Sequence, residues 1–340
     1  VKEVRVQEAV GMVLGHDLTK IVPGEYKGCA FKKGHVIRQD DLEELLNIGK
    51  ENIYIMEIKK GQLHEDDAAI RLAAALCGPG TVAGIPAEGK VTITATVAGI
   101  LKVKKEAIFA MNDCRDISIA TLHGNIPVST GEQVAGTRVI PLIVGEETVA
   151  AAEAAAEKFS PVLEVTPYRH HRVGLVTTGN EVFTRRIEDR FSPIVLTKLT
   201  HFPAHVIRRI LVNDERVKIL AAIMRLYEMG AQMIIVTGGM SVDPDDRTPA
   251  AIRDTGAEII TYGAPVLPGS MLMLAYLGCV PVVGLPGCVM YNKATVFDLI
   301  LPRLFTGEKL TKHDFTEMAV GGLCNHCEQC RYPNCRFGKN

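Results

Sequence analysis

From about Tyr168 onward, apolar runs alternate with stretches of helical period. "RVGLVTTG", "AHVIRRILV", "QMIIVTGG", "AEIITYG", "SMLMLAYL" and "VPVVGLPG" are short and nearly continuous in Val, Ile, Leu and Met, the pattern of strands buried on both faces. The segments between them carry helix signals. "SPIVLTKL" begins with Ser192 as an expected N-cap and Pro193 at the first helical position. Asp214 is expected to cap "ERVKILAAIMRLYEMG", in which Val217, Leu220, Ala221 and Met224 share one face and Gly230 closes the helix. "RTPAAIRDTG" is a short helix with Thr248 as cap, and "CVMYNKATVFDLILPRLF" reads as a single helix. Buried strands joined by capped helices predict an α/β fold: a doubly wound, mainly parallel sheet.

The chain before this point has another rhythm, predicting mixed α+β sections. Residues 1–58 hold the Gly-punctuated "VGMVLGHDLTKIVPG" and a short helix in "DDLEELLNIGK", capped by Asp40 or Asp41 and ended by Gly49. In residues 59–146, "KVTITATVAGILKV" (Lys90 to Val103) alternates with period two, as a half-buried strand does, and "GTRVIPLIV" is a second strand candidate. "HEDDAAIRLAAAL" is an expected helix with its acidic residues in the first turn, where the helix dipole favours them. Residues 147–167 form an Ala-rich helical connector ended by Pro161 and Pro167, 168–312 the parallel-sheet domain, and 313–340 a Cys-rich tail.

Charge narrows the function classes. Lys and Arg number 38 against 39 Asp and Glu, so bulk charge gives no ground for a nucleic-acid or membrane partner. "SMLMLAYLGCVPVVGL" is too short and too interrupted by Gly and Pro for a membrane span, and "VKEVRVQEAV" lacks the apolar core of a signal peptide. The expectation is a cytoplasmic protein.

In an open parallel sheet, ligands bind beyond the carboxyl ends of the strands. Three such ends carry Gly-rich or acidic turns here: "TTGNEV", "TGGMSVDPDD" and "GLPGCVMYN". Gly179 permits a sharp turn after its strand, leaving Glu181 either to project into the crevice or to serve a helix dipole. Gly238 and Gly239 let a ligand approach the backbone, and Ser241 offers a hydroxyl. Asp245 and Asp246 have the oxygen chemistry that Mg²⁺ prefers, although Asp is also a common turn and capping residue. For Asp243 the turn reading is the stronger. Backbone N–H groups around Gly287 and Cys288, with Asn292 nearby, could cradle a phosphate if a helix begins there.

Together these motifs resemble the molybdopterin-binding domain shared by molybdopterin adenylyltransferases and molybdotransferases. Thr178-Gly179-Asn180-Glu181 matches its Thr-Gly-(Asp/Asn)-Glu, and Asn213-Asp214 its acidic pair at a strand end. Gly238 through Asp246 matches Gly-Gly-x-Ser-x-x-x-x-Asp, and Leu285-Pro286-Gly287 its Leu-Pro-Gly before a helix. Two departures stand out. Pro268-Gly269-Ser270-Met271 replaces the family's Pro-Gly-Lys-Pro, and Asn213 replaces a carboxylate. Residues 1 to 150 resemble the leading part of a group of prokaryotic molybdopterin-binding proteins through "GHDLTKI", "LHEDDAA" and "VAGTRVIPL".

The resemblance implies a phosphorylated pterin, molybdopterin, lying across the strand ends. Glu181, Asp246 and Asp214 would handle Mg²⁺ or polarise pyrophosphate or molybdate. Backbone around Thr178, Gly179, Gly238, Gly239, Pro286, Gly287 and Cys288, with the Ser241 hydroxyl, would hold pterin or phosphate. The implied activity is a transferase of molybdenum or tungsten cofactor biosynthesis, using ATP and molybdate or tungstate, in a homo-oligomer. The alternative is a non-catalytic carrier or sensor docking onto a molybdo- or tungsto-oxidoreductase. A weaker third reading is nucleotide hydrolysis, since competence-damage-type proteins reuse this domain for pyrophosphate cleavage.

Nine cysteines complete the picture. Five are scattered, but Cys324, Cys327, Cys330 and Cys335 form Cys-x-x-Cys-x-x-Cys-x-x-x-x-Cys. This is metal-ligand spacing rather than a disulfide framework. It favours an iron–sulfur cluster over zinc, with His326 as a reserve ligand.

Overall fold

The computed structural model describes residues 2–22, 24–55, 58–87, 89–241 and 246–339. Asp243 and Asp245, with the expectations attached to them, lie outside the described residues. The chain divides into two compact units. The first comprises Val1–Val97, Lys102–Leu122 and Val128–Val165, and the second Ala98–Leu101, His123–Pro127 and Thr166–Asn340.

Two antiparallel pairs open the first unit: Lys2–Arg5 with Asn52–Ile55, and Leu18–Val22 with Tyr26–Phe31. They enclose a small core that includes Val6, Leu14, Ile37, Leu45 and Ile53. The expected short helix runs Asp41–Asn47. A four-stranded antiparallel sheet follows, in spatial order Thr81–Ala83, Lys90–Ala95, Gln133–Val139, Ile117–Thr121. Val91, Ile93 and Ala95 point to the core, which the helix Glu65–Leu76 shares. The single strand expected over Lys90–Val103 is two, Lys90–Ala95 and Gly99–Val103. The first ends where the Thr96 N–H turns to donate to the Gly80 carbonyl (2.9 Å).

The segments "GHDLT" and "LHEDD" meet in this unit. His64 is buried and caps the helix Glu65–Leu76, its Nδ1 accepting the Asp66 N–H at 3.1 Å. Its Nε2 therefore carries the proton and donates to the Gly15 carbonyl at 2.9 Å. This histidine is a joint between two parts of the chain.

In the second unit a six-stranded sheet is built from β1 (His171–Thr178), β2 (Ala204–Val212), β3 (Met233–Thr237), β4 (Glu258–Tyr262), β5 (Met273–Leu277) and β6 (Val280–Leu285). The spatial order is β2-β1-β3-β6-β5-β4. Strands β2, β1, β3 and β6 are parallel, and β5 and β4 continue the sheet antiparallel. The helices are α1 (Asn180–Phe183), α2 (Phe191–Leu199), α3 (Arg216–Glu228), α4 (Thr248–Asp254), α5 (Val296–Phe305) and α6 (Lys312–Glu317). Helices α2, α5 and α6 pack on one face of the sheet and α3 and α4 on the other. The fold is α/β and doubly wound, as the apolar rhythm predicts. Every residue of β3 is buried, which is why that strand shows no alternation.

Three local expectations change. Helix α3 buries Ile219, Ala222, Ile223 and Leu226, whereas Val217 on the expected face is 74% exposed. Gly174 decides between these stripes, because a Cβ there would stand 2.8 Å from the Leu226 Cδ1 that packs over β1. Ser192 lies inside α2, and Asp189 performs the capping by accepting the N–H groups of Phe191 and Ser192 at 2.9 Å each. The helix expected to follow Gly287 is a 3₁₀ turn over Gly287–Met290, and α5 starts anew at Val296. Thr295 and Asp298 form a capping box at that new start.

Burial lowers the pKa of both His64 and His16. Below the ordinary histidine pKa of roughly 6.5, the unfolded chain therefore binds more protons than the folded one. Their stabilising contribution is complete above that value and is lost as pH falls through the lowered values. Urea midpoints should drop between about pH 7.5 and pH 5.5, and His64→Gln should narrow the difference. An unchanged difference in the variant would show that His64 has no part in it.

Candidate functional site

The connection from β1 returns to β2 across one face of the sheet, through α2. The chain leaves β3 for β4 across the other face, through α4. The strand order thus reverses between β1 and β3, where two loops part and leave a crevice. A cavity of about 710 Å³ lies there, lined from the ends of β1, β3 and β6.

The crevice is narrow at its base because the ends of β1 and β3 almost touch. A Cβ on Gly238 would stand 2.5 Å from the Thr178 carbonyl oxygen, and φ there is +91°. A Cβ on Gly239, with φ +58°, would stand 2.9 Å from Thr248 Oγ1. Only glycine satisfies both the space and the dihedral at Gly238. Thr248 fixes the turn, donating its hydroxyl to the Gly238 carbonyl (2.8 Å) and its N–H to the Gly239 carbonyl (3.2 Å). Tyr262 on β4 supports it from the side, its hydroxyl donating to the Met240 carbonyl at 3.1 Å.

Among the expected site residues, Thr178, Glu181, Gly238, Gly239, Ser241, Asp246 and Gly287 line the cavity. Asp246 accepts the Ser241 N–H at 2.7 Å, closing the loop that follows β3. Gly179, Asp214, Pro286 and Cys288 are not among the lining residues. Instead of capping α3, Asp214 accepts the Asn180 N–H at 2.8 Å, while its own N–H faces Asn180 Oδ1 at 3.4 Å. That pair ties the end of β2 to the end of β1. Cys288 is half-buried, and burial pushes its thiol pKa up.

The sequence reading missed the segment after α1. Glu188, Asp189 and Arg190 also line the cavity, and Met290 and Tyr291 enter from the 3₁₀ turn and the residue beyond it. The charge run "RRIEDR", two residues after "TTGNEV", was the available signal. The charged lining is therefore Glu181, Glu188, Asp189 and Asp246 against Arg190. Asp189 is committed to the start of α2, where it also bonds the Ser192 hydroxyl, which in turn meets Thr177 Oγ1 at 2.8 Å. Thr178 Oγ1 is different: it is buried in the cavity wall without a hydrogen-bond partner. A buried hydroxyl left unpaired is costly unless water or ligand reaches it.

The four tail cysteines line a separate cavity of about 270 Å³. Among the described residues, no group of three or more His, Cys, Asp or Glu is placed to hold a metal ion, and no helix is long and apolar enough to cross a membrane.

A sheet of this order, with glycine turns and carboxylates at its switch point, has the architecture of α/β domains in which small ligands bind at the strand ends. Residues 174–306 match the family described as "Probable molybdopterin binding domain". Residues 3–57 match a second family, "Domain of unknown function (DUF8806)". The "Molybdenum cofactor biosynthesis bifunctional protein" of Synechococcus elongatus is 37% identical over 83 residues, 24% of this chain and 26% of that protein. A "CinA-like protein" of Mycobacterium tuberculosis is 30% identical over 90 residues, 26% of this chain and 21% of that protein. The match thus spans about a quarter of these relatives. The tungsten cofactor synthesizing protein MoaB from Pyrococcus furiosus is 19% identical, with a TM-score of 0.34 over 44% of this chain and 98% of that one.

Two substitutions separate the roles of the crevice residues. Gly238→Ala forces a side chain into the Thr178 carbonyl at positive φ and should cost at least about 1–3 kcal/mol. Thr178→Val removes an unpartnered hydroxyl and should cost less than about 1 kcal/mol. Denaturant unfolding of the two variants checks the contrast, and equal losses would contradict the assignment.

Proposed function

We propose that the strand-end cavity binds molybdopterin or its adenylylated form. The protein then acts in nucleotidyl transfer or metal insertion during molybdenum or tungsten cofactor biosynthesis, assisted by Mg²⁺. The observation that carries this reading is the strand-end cavity over the Gly238-Gly239 turn, lined by Glu181, Ser241 and Asp246 inside the segment that matches the molybdopterin-binding family.

The lining charges suit this reading only with a divalent cation. Four carboxylates against one guanidinium repel a bare phosphorylated ligand. Mg²⁺ characteristically takes one or two protein carboxylates and completes its shell with phosphate oxygens and water, so no ready-made three-ligand group is required. Glu181 and Asp246 are the carboxylates that would hold it, and bound there it would neutralise charge developing on the transferred phosphoryl group. Arg190 would contact a phosphate directly. Ser241 and the glycine turn would orient the ligand, with the Ser241 N–H kept in place by Asp246. Asp214 would act through Asn180, as a positioning residue. ATP and molybdate or tungstate would be the co-substrates, as the resemblance implies.

The second reading is a carrier or sensor of the finished cofactor. It is favoured by Ser270, which stands where the resembling enzymes carry lysine, and by Asn213 in place of a carboxylate. The assay that separates the two is incubation with molybdopterin, ATP, Mg²⁺ and molybdate, following AMP and pyrophosphate. Release of either product supports the transferase, and tight pterin binding without release supports the carrier. Asp246→Asn, which keeps an acceptor for the Ser241 N–H but removes the charge, should lower turnover on the order of 10²-fold. Turnover at the wild-type level would remove Asp246 from the machinery.

A further inference from the structure

The cysteine-rich segment is seated on the sheet domain. Its first strand-like residues pair with the loop before β5: the Leu267 N–H donates to the Gly322 carbonyl and the Cys324 N–H to the Leu267 carbonyl, each at 2.8 Å. Its far end is fixed by Phe337, 4% exposed in the core, and by the Tyr332 hydroxyl, which donates to the Asp298 carbonyl of α5 at 3.0 Å. Cys324 and Cys335 pack against that same core, whereas Cys327 and Cys330 are exposed on the arch between the anchors. None of the four is in a disulfide.

All four cysteines line one cavity with His326, and Tyr291–Ala294 line it as well. Tyr291 also lines the strand-end cavity, so the two cavities share a wall in the segment that follows β6. Lys293 and Arg331 border the thiols together with a single carboxylate, Glu328. The excess positive charge offsets what four thiolates would bring to one centre. Since no three ligands already converge, an incoming ion has to draw the exposed arch toward the anchored pair.

We propose that Cys324, Cys327, Cys330 and Cys335 form a tetrathiolate site for a thiophilic metal centre. Its assembly orders the Gly287–Ala294 segment and so couples the centre to the strand-end cavity. Each thiol gives up its proton to solvent as its sulfur ligates the metal, so binding releases protons and tightens with rising pH. Zinc and an iron–sulfur cluster share this donor chemistry. The metal site stands on the spacing of the four cysteines and the cavity they share, and only the meaning of the coupling rests on the proposed pterin reading.

The full chain, purified without oxygen, is analysed for zinc, iron and acid-labile sulfide. Iron with sulfide and a broad visible absorbance identifies a cluster, and zinc without it identifies a mononuclear site. The metal-stripped, reduced protein is then titrated with Co²⁺. A thiolate-to-cobalt charge-transfer band that saturates near one equivalent supports the site, and a Cys327→Ser, Cys330→Ser variant should lose the band. These two residues are exposed, so the variant should keep its fold. No band, or an undiminished band in a folded variant, overturns the site. Hydrogen exchange with and without Zn²⁺ reads the coupling without any pterin: amides of Gly287–Ala294 should slow in wild type and not in the variant. Unchanged exchange with an intact cobalt band overturns the coupling. Failure of the pterin reading appears separately, as absent pterin binding in a metal-loaded, folded protein.

Discussion

The approach of the β3 turn to the end of β1 is the constraint on which the rest of the site depends. With the Thr178 carbonyl 2.5 Å from where a Gly238 Cβ would stand, no other residue type lets the two strand ends close together. That closeness makes the crevice floor out of backbone rather than side chains. It also brings Thr178, at the end of β1, together with Ser241 and Asp246 of the loop after β3 around one cavity. The Thr248 hydroxyl completes the lock by bonding Gly238, so α4 begins under the turn it stabilises. The cost of the arrangement is concentrated at one atom, the unpaired Thr178 Oγ1. Sites of function are where such unsatisfied groups are tolerated.

Around this floor, the sheet assigns different work to residues that look alike in sequence. Asp246 and Asp214 both follow parallel strands, and both accept a backbone N–H. Asp246 does so from inside the cavity wall, while Asp214 does so between two strand ends and outside it. Asp189, ahead of both in the chain, is absorbed in starting α2. Three carboxylates thus play three parts: one closes a turn in the cavity wall, one fastens strands and one caps a helix. Spacing could not separate these parts, because a carboxylate bonded to a backbone N–H is the same local event in each case.

The parallel sheet was legible because burial on both faces leaves an unbroken apolar run, as in "MIIVT", and few other structures need one. The strand-end motifs were legible for the same reason, since glycine and acid pairs after such runs are hard to explain otherwise. What was not legible depended on tertiary fit. The buried stripe of α3 could not be chosen between two apolar stripes without knowing that Gly174 leaves room for Leu226. The helix after Gly287 reads as continuous, yet the Thr295 capping box restarts it and leaves a 3₁₀ turn and a link in front. That link carries Tyr291, the residue common to both cavities, and nothing in its local sequence announces the role. The "GHDLT" and "LHEDD" segments are about fifty residues apart, and only the fold reveals that His64 joins them.

The departures from the resembling enzymes acquire a physical meaning from the same geometry. At Asn213 the side-chain amide donates to Glu215 at 2.6 Å, while its carbonyl oxygen is buried and unpartnered. A carboxylate at that place would bring a second negative charge beside Asp214, whose own carboxylate is already spent on the Asn180 N–H. The amide avoids that repulsion and leaves a neutral acceptor at the end of β2. In the same domain Gly269 lies against the start of α5, where a Cβ would stand 2.6 Å from Val296 Cγ1, and the Val296 N–H donates to the Pro268 carbonyl. The loop therefore keeps its contacts without the lysine. The carboxylates and the single arginine of the cavity wall are left to set the electrostatics of whatever binds there.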